Sequence, residues 1–256
     1  MKDFRKKQQR PKKSSLVFGR EAILQALEQG DALDRIYLDQ QLKDPVTGDI
    51  RRLAAAKQVP VNYVPAARLA HFNVGNHEGV VAQKSKIIYQ NLQDLLSFVI
   101  ESGTVPLFLI LDGITDVRNI GGIARTAWCC GVQGIIIPDK GVGALNDDAI
   151  LTSAGALEKI PVCRVNSLMK AVDELHLNGV TVFASAMEAA IPVAKADLSV
   201  PAAIVMGSEE KGIYPALLKI CDTAISIPMQ NQFESLNVSV ATGMILYEVM
   251  QQRMKA

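Results

Sequence analysis

Short apolar runs alternate with helical patterns along the second half of the chain. Ile and Val are common in each run, and stretches with helical spacing separate the runs. Continuous apolar strands separated by helices are typical of a parallel sheet that is buried on both faces. The pattern therefore predicts an α/β domain whose strands are PLFLILDGI (106–114), GIIIPD (134–139), VCRV (162–165), VTVFASA (180–186), AAIVMGS (202–208) and AISIPM (224–229).

The first 84 residues carry shorter elements of the same two kinds. In the stretch VFGREAILQALEQG, Ala22, Ile23, Ala26 and Leu27 share one helical face, and Gly30 follows as a stop. Strands are predicted at DRIYLD, VPVNYV and GVVAQ, and helices at IRRLAAAKQ and AARLAHF.

These patterns divide the chain into four parts. We predict a basic arm over residues 1–14, a small α/β domain over 15–84, a linker over 85–105 and a larger domain over 106–256. The apolar pattern of NLQDLLSFVI predicts a helix within the linker.

The charge is distributed unevenly, although the net charge is only +1. Residues 1–13 hold seven Lys or Arg and one Asp, a balance of +6, so the other 20 basic and 25 acidic residues give −5. A short basic arm on a mildly acidic body suggests contact with nucleic-acid phosphates. A solvated tail that only aids solubility is the alternative.

Composition narrows the class of protein. Hydrophobic residues make up 49% and charged residues 21%, which is ordinary for a globular protein, and no apolar run reaches the roughly 18 residues of a membrane helix. The basic N-terminus lacks the apolar segment of a secretory signal. Four cysteines without a CxxC pair and only three histidines make a metal site improbable. We therefore expect a cytoplasmic protein without membrane or metal.

Polar residues follow two of the predicted strands. In a parallel sheet, ligands bind beyond the carboxyl ends of the strands. After the first strand, Asn119 and Arg125 lie at a helix start, and Asn119 alone could be a helix cap. Two glycines at the same helix start let the backbone approach a partner or a neighbouring strand closely. After AAIVMG comes SEEKGI, where Glu209 could lie at a helix N-terminus and Gly207 and Gly212 suit a tight loop.

The last strand is followed by an unusually polar helix start, SLNVSVATG. Ser235 and Asn237 fall where the helix begins and could cap its amide groups. One capping residue would be enough, yet Ser239 and Thr242 follow, and Gly243 is predicted to allow close packing. Three polar turns at three strand ends predict a single shared pocket.

At these residues the chain resembles a known family. NIGGIARTA, IVMGSEEKGI and ISIPMQNQFESLNVSVATGMILYE are similar to the three ordered motifs of the SpoU (TrmH) family of RNA 2′-O-ribose methyltransferases. The first domain, with VFGREAILQAL and NHEGVVAQ, resembles the substrate-binding domain of bacterial members, and points to the branch acting on guanosine in 23S rRNA. The two resemblances together span nearly the whole chain.

The resemblance implies a fold and a set of site residues that the spacing of residues in the sequence does not indicate. It implies a C-terminal trefoil knot that binds S-adenosylmethionine, and a homodimer with the active site near its interface. Residues that match the family's cofactor contacts are Gly207, Ile227 and Leu236. Residues that match its catalytic or substrate-proximal positions are Asn119, Arg125, Glu209, Ser235 and Asn237.

The implied chemistry is methyl transfer to a ribose 2′-oxygen, which needs no metal. Arg125 matches the family's proposed activating arginine. Because a guanidinium is very hard to deprotonate, we favour a role in stabilising oxygen charge and gripping phosphate, and a general-base role stays open. The chain departs from the family pattern at Val117, often Pro, and at Glu210 and Asn231, where Gly is common.

Three other functions compete with this one. Transfer RNA is the alternative substrate to ribosomal RNA. A non-catalytic RNA-binding or ribosome assembly factor with the same fold is the second rival, and the intact Arg125, Glu209 and Asn237 argue against it. A nicotinamide-dependent dehydrogenase is disfavoured because no G-x-G-x-x-G follows the first strand.

Overall fold

The chain folds as two compact units that divide between Ser85 and Lys86 in the computed structural model. The structure describes residues 16–57, 59–143, 145, 147–187, 191–231 and 235–255. The predicted basic arm over residues 1–14 lies outside these described residues. Among the described helices, none has the length and apolar character needed to span a bilayer.

The first unit is a small mixed sheet with helices. Its strands are Leu16–Phe18 (β1), Leu33–Asp39 (β2), Val61–Val64 (β3) and Val80–Lys84 (β4), and its helices are Arg20–Gln29 (α1), Pro45–Ala56 (α2) and Ala66–Leu69 (α3). The sheet order is β1-β4-β2-β3, with β2 and β3 parallel and the other pairs antiparallel.

Helix α1 ends as its sequence predicts. Gly30 adopts a left-handed φ of 79° and its amide donates to the last turn. Ile23, Ala26 and Leu27 are buried in the core of this unit, but Ala22, which was placed on the same face, is exposed. Val17 and Phe18 pair with β4 as part of β1, so their inclusion in the helical stretch was wrong.

The second unit is built on a parallel sheet covered on both faces. Its strands are Tyr89–Gln90 (β5), Leu107–Leu111 (β6), Gly134–Pro138 (β7), Val162–Val165 (β8), Thr181–Ser185 (β9), Ile191–Pro192 (β10), Ala202–Met206 (β11) and Thr223–Ser226 (β12). Its helices are Leu92–Glu101 (α4), Val117–Cys129 (α5), Asp147–Thr152 (α6), Leu168–Leu177 (α7), Pro215–Leu218 (α8) and Val238–Arg253 (α9). The α/β class and the parallel sheet predicted from the sequence are confirmed; the trefoil knot stays a prediction.

Near the centre of this sheet, successive strands of the chain change from one side of β6 to the other. The order is β10-β12-β9-β11-β6-β7-β8-β5, and all recorded pairs are parallel. From β6 the chain builds outward to β7 and β8, then crosses to β9 on the other side and returns to place β11 beside β6. The β6–β11 boundary is therefore the topological switch point, where α/β sheets bind their ligands.

Alternate residues of the central strand reach the two faces of the sheet. Leu107, Leu109 and Leu111 of β6 pack into the core formed with α5, α6 and α9. Phe108 and Ile110 pack into the opposite core, formed with α4, α7 and α8. Burial on both faces explains why β6 reads as a continuous apolar run rather than an alternating one.

The segment expected as a linker holds helix α4. Leu92, Leu95, Leu96 and Val99 of this helix are buried in the second unit's core. The amphipathic pattern of NLQDLLSFVI thus marks a helix that packs on the sheet.

Two of the stretches with helical spacing that separate the predicted strands form shorter helices than that spacing predicts. DDAILTSAGALEKI forms α6 and then a separate 3-10 turn at Ala156–Glu158, because Ala154 and Gly155 take positive φ values of 50° and 81°. YPALLKICD forms only the four-residue α8. Apolar spacing alone did not reveal these breaks.

The end of α9 is tied to the amino edge of the sheet by Arg253. Its guanidinium donates to the carbonyl oxygens of Val105, Pro106 and Val200, each at 2.8 Å. Partial burial lowers the pKa of this guanidinium. These bonds fix the C-terminal end of α9, whose N-terminal end lies at the opposite edge of the sheet, where the polar turns meet.

Candidate functional site

The two strands at the switch point each lead into a polar segment. Strand β6 leads to α5, and β11 leads to a tight turn at 207–212. Asp112, directly after β6, donates its backbone N–H to the carbonyl of Met206 at 2.9 Å, so the two strands leave the sheet side by side.

Helix α5 is capped by Asp116, whose Oδ1 accepts the amide of Arg118 at 2.9 Å. Asn119 lies within the first turn of the helix, so its interpretation as the cap was wrong and its amide is available for other contacts. Val117, the departure from the family's Pro, is the first helical residue, a position where either residue is tolerated.

The two glycines of α5 allow close packing of helices, as predicted. A Cβ on Gly121 would lie 2.7 Å from Thr152 Cβ and 2.9 Å from the carbonyl oxygen of Ala149, both in α6. A Cβ on Gly122 would lie 3.4 Å from Ser239 Cβ in α9. Close packing at Gly243 was also predicted, but a Cβ there lies 3.7 Å from Thr126, an ordinary contact.

The turn after β11 is held by hydrogen bonds within its own backbone. Ser208 and Gly212 exchange backbone hydrogen bonds of 3.1 and 2.9 Å. A Cβ on Gly207 would lie 2.2 Å from the carbonyl carbon of Gly212, so only glycine fits there. Glu209 and Glu210 are exposed at the tip of this turn.

The N-terminus of α9 is capped by Asn237. Its Oδ1 accepts the backbone amides of Ser239 at 3.0 Å and Val240 at 3.3 Å, and the Ser239 hydroxyl at 2.5 Å. These bonds use only the oxygen of the side-chain amide, so its NH2 group can donate to other residues. Ser239 therefore orients Asn237, a role that sequence spacing did not reveal.

Glu209 joins the three polar segments. Its Oε1 accepts hydrogen bonds from Asn237 Nδ2 at 2.6 Å, from the backbone amide of Val238 at 3.0 Å and from Asn119 Nδ2 at 3.2 Å. Asn237 Nδ2 also lies 3.1 Å from Asn119 Oδ1. Three residues separated by up to 118 positions thus form one hydrogen-bonded cluster, which we call the Asn-Glu-Asn cluster.

The position of Glu209 corrects one prediction. A carboxylate was expected at the start of the next helix along the chain, but α8 begins only at Pro215. Glu209 instead accepts the first amide of α9, Val238, where the helix dipole favours negative charge. The sequence distance between Glu209 and α9 concealed this pairing.

Arg125 and Ser235 do not join the Asn-Glu-Asn cluster. Arg125 is exposed on α5, six residues and nearly two helical turns beyond Asn119, and no hydrogen bond or ion pair joins it to a described residue. Ser235 is half-buried just before α9 and likewise makes no hydrogen bond with a described residue. Asn231, the third departure from the family pattern, is exposed.

The residues expected to contact a cofactor lie at the same edge of the sheet. Gly207 follows β11, Ile227 follows β12 and Leu236 precedes α9, and all three are half-buried. The crowding at Gly207 leaves only backbone at that point of the turn, while Ile227 and Leu236 offer apolar side chains. Backbone amides beside apolar groups suit an adenosine-bearing ligand, so the residues present fit S-adenosylmethionine. Among the described residues, no group of His, Cys, Asp and Glu is arranged to hold a metal ion.

Comparison with family models identifies the class of protein. Residues 106–247 match the model of the SpoU rRNA Methylase family, and residues 16–90 match that of the RNA 2′-O ribose methyltransferase substrate-binding domain. Fold and site therefore define an RNA methyltransferase. The chain belongs to the SpoU (TrmH) family, as the resemblance predicted.

Two relatives match most of the chain. It is 34% identical over 237 residues to YacO of Bacillus subtilis, named for the TrmH family of tRNA/rRNA methyltransferases, which covers 93% of this chain and 95% of that protein. A Staphylococcus aureus protein named for the same family is 33% identical over 239 residues, covering 93% and 96%.

Solved structures share the fold. The SpoU methyltransferase AviRb from Streptomyces viridochromogenes is 24% identical with a TM-score of 0.60, covering 94% of this chain and 90% of that one; a second structure of it holds the cofactor AdoMet, with 91% of that chain covered. The TrmH/SpoU tRNA modifying enzyme of A. aeolicus is 27% identical with a TM-score of 0.54, covering 64% and 85%.

Proposed function

We propose that this protein transfers a methyl group from S-adenosylmethionine to a ribose 2′-oxygen of structured RNA, with a guanosine of 23S rRNA as the target. The observation that carries the proposal is the Asn-Glu-Asn cluster at the switch point. Relatives are named for both tRNA and rRNA, so tRNA is the second candidate substrate. The proposed enzyme works in the cytoplasm.

In this proposal Asn119, Glu209 and Asn237 hold the reacting groups in position. The cluster ties the turn after β11 to the starts of α5 and α9. Fixing these segments aligns the methyl donor with the ribose, and alignment contributes about 7–11 kcal/mol to such reactions. Ser235, beside the cluster, contacts the ribose or its phosphate.

In this proposal the role of Arg125 is electrostatic rather than structural. Its guanidinium is exposed and has no hydrogen-bond or ion-pair partner among the described residues, so it can bind an RNA phosphate next to the reacting ribose. It also stabilises the negative charge that develops on the 2′-oxygen as its proton leaves.

S-adenosylmethionine supplies a methyl group already activated by a positively charged sulfur. The backbone at Gly207 and the side chains of Ile227 and Leu236 would hold it at the carboxyl edge of the sheet. We expect this binding to require no metal. Calorimetry with a chelator present tests it: binding that appears only after a divalent ion is added would contradict the proposal.

A homodimer completes the proposed enzyme. Val240, Met244 and Tyr247 form an exposed apolar stripe on α9, at 52%, 46% and 58% exposure, although the helix also buries its opposite side in the core. A helix that is apolar on both sides is typically covered on both. A second copy of this chain would cover the stripe on α9, and α5, which carries Arg125, packs against α9.

Domain roles follow from this function. Residues 15–84 bind the RNA substrate, residues 106–256 carry out methyl transfer, residues 85–105 connect them and the basic arm over 1–14 adds phosphate contacts. Such contacts carry affinity and little sequence information.

Mapping of RNA methylation tests the function directly. Sites of 2′-O-methylation in rRNA and tRNA are compared between cells with and without the gene, and purified protein is then tested on the RNA that loses a site. We expect one ribose to lose its methyl group and the protein to restore it. Unchanged methylation in both RNA classes, with RNA binding intact, would favour the non-catalytic assembly factor.

A further inference from the structure

A separate cavity flanks the switch point on the other face of the sheet. It has a volume of about 220 Å³ and is lined by residues that follow four neighbouring strands. Asp112 and Gly113 follow β6, Lys140 follows β7, Met169 lies in the first turn of α7 after β8, and Tyr214 precedes α8 after β11. None of these residues belongs to the Asn-Glu-Asn cluster or to the predicted cofactor contacts.

The cavity adjoins the turn that carries Glu209. Asp112 Oδ2 accepts the backbone amide of Tyr214 at 2.7 Å, which fixes the cavity wall to the end of β6. A Cβ on Gly113 would lie 3.6 Å from Ser208 Cβ, and Ser208 directly precedes Glu209. A ligand in this cavity therefore lies next to the turn that carries Glu209.

The side chains around the cavity suit a flat, uncharged ring next to a phosphate. Tyr214 is 63% exposed and Met169 41% exposed, so an aromatic ring and a thioether are both uncovered at the cavity. Lys140, also exposed, places a cation at the same opening. Unstacked RNA bases are commonly recognised by stacking on aromatic side chains, with cations on the adjoining phosphate.

The size of the cavity argues for a small ligand. The cavity measures about 220 Å³, less than the roughly 300–1,000 Å³ of pockets for drug-sized molecules, so it suits a single ring system. A single nucleobase is a ring system of a suitable size.

We propose that this cavity, formed by Asp112, Gly113, Lys140, Met169 and Tyr214, receives the nucleobase of the nucleotide that is methylated. The inference rests on the proposed function and adds to it a base-binding site. With its base held against Tyr214 on one side of the switch point, the nucleotide presents its ribose toward Glu209 on the other. Tyr214 is then a positioning residue that acts on the substrate.

Base binding can be measured without methyl transfer. The methyl groups of methionine are labelled with carbon-13, and the Met169 signal is assigned by its loss in Met169→Leu. Guanosine 5′-monophosphate is added at millimolar concentration, with ribose 5-phosphate, which lacks a base, as the matched probe. We expect the nucleotide alone to shift the Met169 signal, while the signal of Met254, exposed beyond the end of α9, stays unchanged.

Three outcomes of this measurement are decisive. A shift with the nucleotide alone supports the proposal. No Met169 shift with any of the four ribonucleoside monophosphates, or an equal shift with ribose 5-phosphate, overturns it. Because no methyl group is transferred, these outcomes do not depend on whether the protein is a methyltransferase.

Kinetics then separate this inference from the proposed function. On the RNA identified by mapping, Tyr214→Ala should lower kcat/KM by about tenfold, since base–aromatic stacking contributes about 1–3 kcal/mol, and Tyr214→Phe should keep near-normal values. Phe98→Ala is the matched control, because Phe98 is a 70% exposed aromatic on α4, at a groove whose lining includes Thr104, Gln133 and Pro161, which precede β6, β7 and β8. Normal turnover in Tyr214→Ala overturns the inference, whereas inactivity of the wild-type protein counts against the proposed function alone.

Discussion

Asn237 uses the two ends of one side-chain amide for two purposes. Its oxygen caps α9 by accepting the amides of Ser239 and Val240, and its NH2 group donates to Glu209 and Asn119. A cap requires only an acceptor, so the donors serve the cluster. This separation allows the structural and functional roles of one residue to be tested independently.

We expect Asn237→Asp to keep the helix and lose the activity. Asp is as good a cap as Asn, so the capped start of α9 should be retained. The new carboxylate cannot donate to Glu209 and would repel it. Methyl transfer in a single turnover should fall at least about 100-fold, a little under 3 kcal/mol of transition-state stabilisation.

Asn237→Ala serves as the comparison for this change. It should lose activity to the same extent and also about 1 kcal/mol of stability, because the cap is removed. If Asn237→Asp turns over normally, the amide of Asn237 is a structural cap and its contact with Glu209 has no role in the reaction.

Arg125 and Arg118 form a matched pair on α5. Arg118 is paired with Asp116 at 2.9 Å, with its side chain 79% exposed, whereas Arg125 has no such partner among the described residues. Arg125→Ala should reduce methyl transfer by more than Asn237→Ala does, with S-adenosylmethionine affinity almost unchanged. Arg118→Ala should leave transfer near normal, and an equal loss in both variants would show a general effect of positive charge on RNA binding.

The sequence could single out the residues that form the Asn-Glu-Asn cluster but not how they are paired. The positions of Asn119, Glu209 and Asn237 could be identified from the family motifs and the ends of apolar strands. The three hydrogen bonds to one oxygen of Glu209 depend on the strand order that places β11 beside β6. Neighbouring sequence contains no information about that order.

At the scale of elements, glycines decide how closely helices approach α5. At Gly121 a side chain would collide with Thr152 and with the carbonyl oxygen of Ala149 on α6. At Gly243, on α9, a side chain fits at an ordinary distance from Thr126. The two glycines look equivalent in the sequence, and only the packing distinguishes them.

Gly121→Ala and Gly243→Ala should therefore change stability in opposite directions. Overpacking costs about 1–3 kcal/mol, so Gly121→Ala should lower the unfolding temperature. Gly243→Ala should raise it, since Ala favours a helix by about 1 kcal/mol over Gly. The unfolding temperatures of the two variants should be measured beside that of the wild type. A raised unfolding temperature in Gly121→Ala would contradict the close contact with α6.

The elements that could be predicted from the sequence are those whose residues are buried in the core. The six strands predicted in the second unit all form, and burial on both faces gives the inner strands β6, β7 and β11 continuous apolar runs. The short strands β1, β5 and β10 were missed, since two or three residues at a sheet edge or end produce no distinct pattern. Pairing with a neighbour, rather than local sequence, makes these segments strands.

At the scale of the whole molecule, the uneven charge predicts how RNA binding responds to salt. Deleting residues 1–13 removes a balance of +6 from a chain whose remainder is −5. The slope of RNA affinity against salt concentration should become flatter, because fewer counterions are released. The methylated nucleotide should stay the same, and a changed target would mean that the arm reads sequence.

The apolar stripe on α9 makes the assembly itself testable. Met244→Glu combined with Tyr247→Glu places two charges where the proposed dimer buries apolar side chains. The dimer dissociation constant should rise at least about thirtyfold, since an interface hot spot contributes about 2 kcal/mol. Leu177→Glu is the control, because Leu177 is 87% exposed at the end of α7, away from α9. Sedimentation and methyl transfer should be measured on the same preparations, and full activity in a monomeric double variant would show that one copy of the chain holds a complete site.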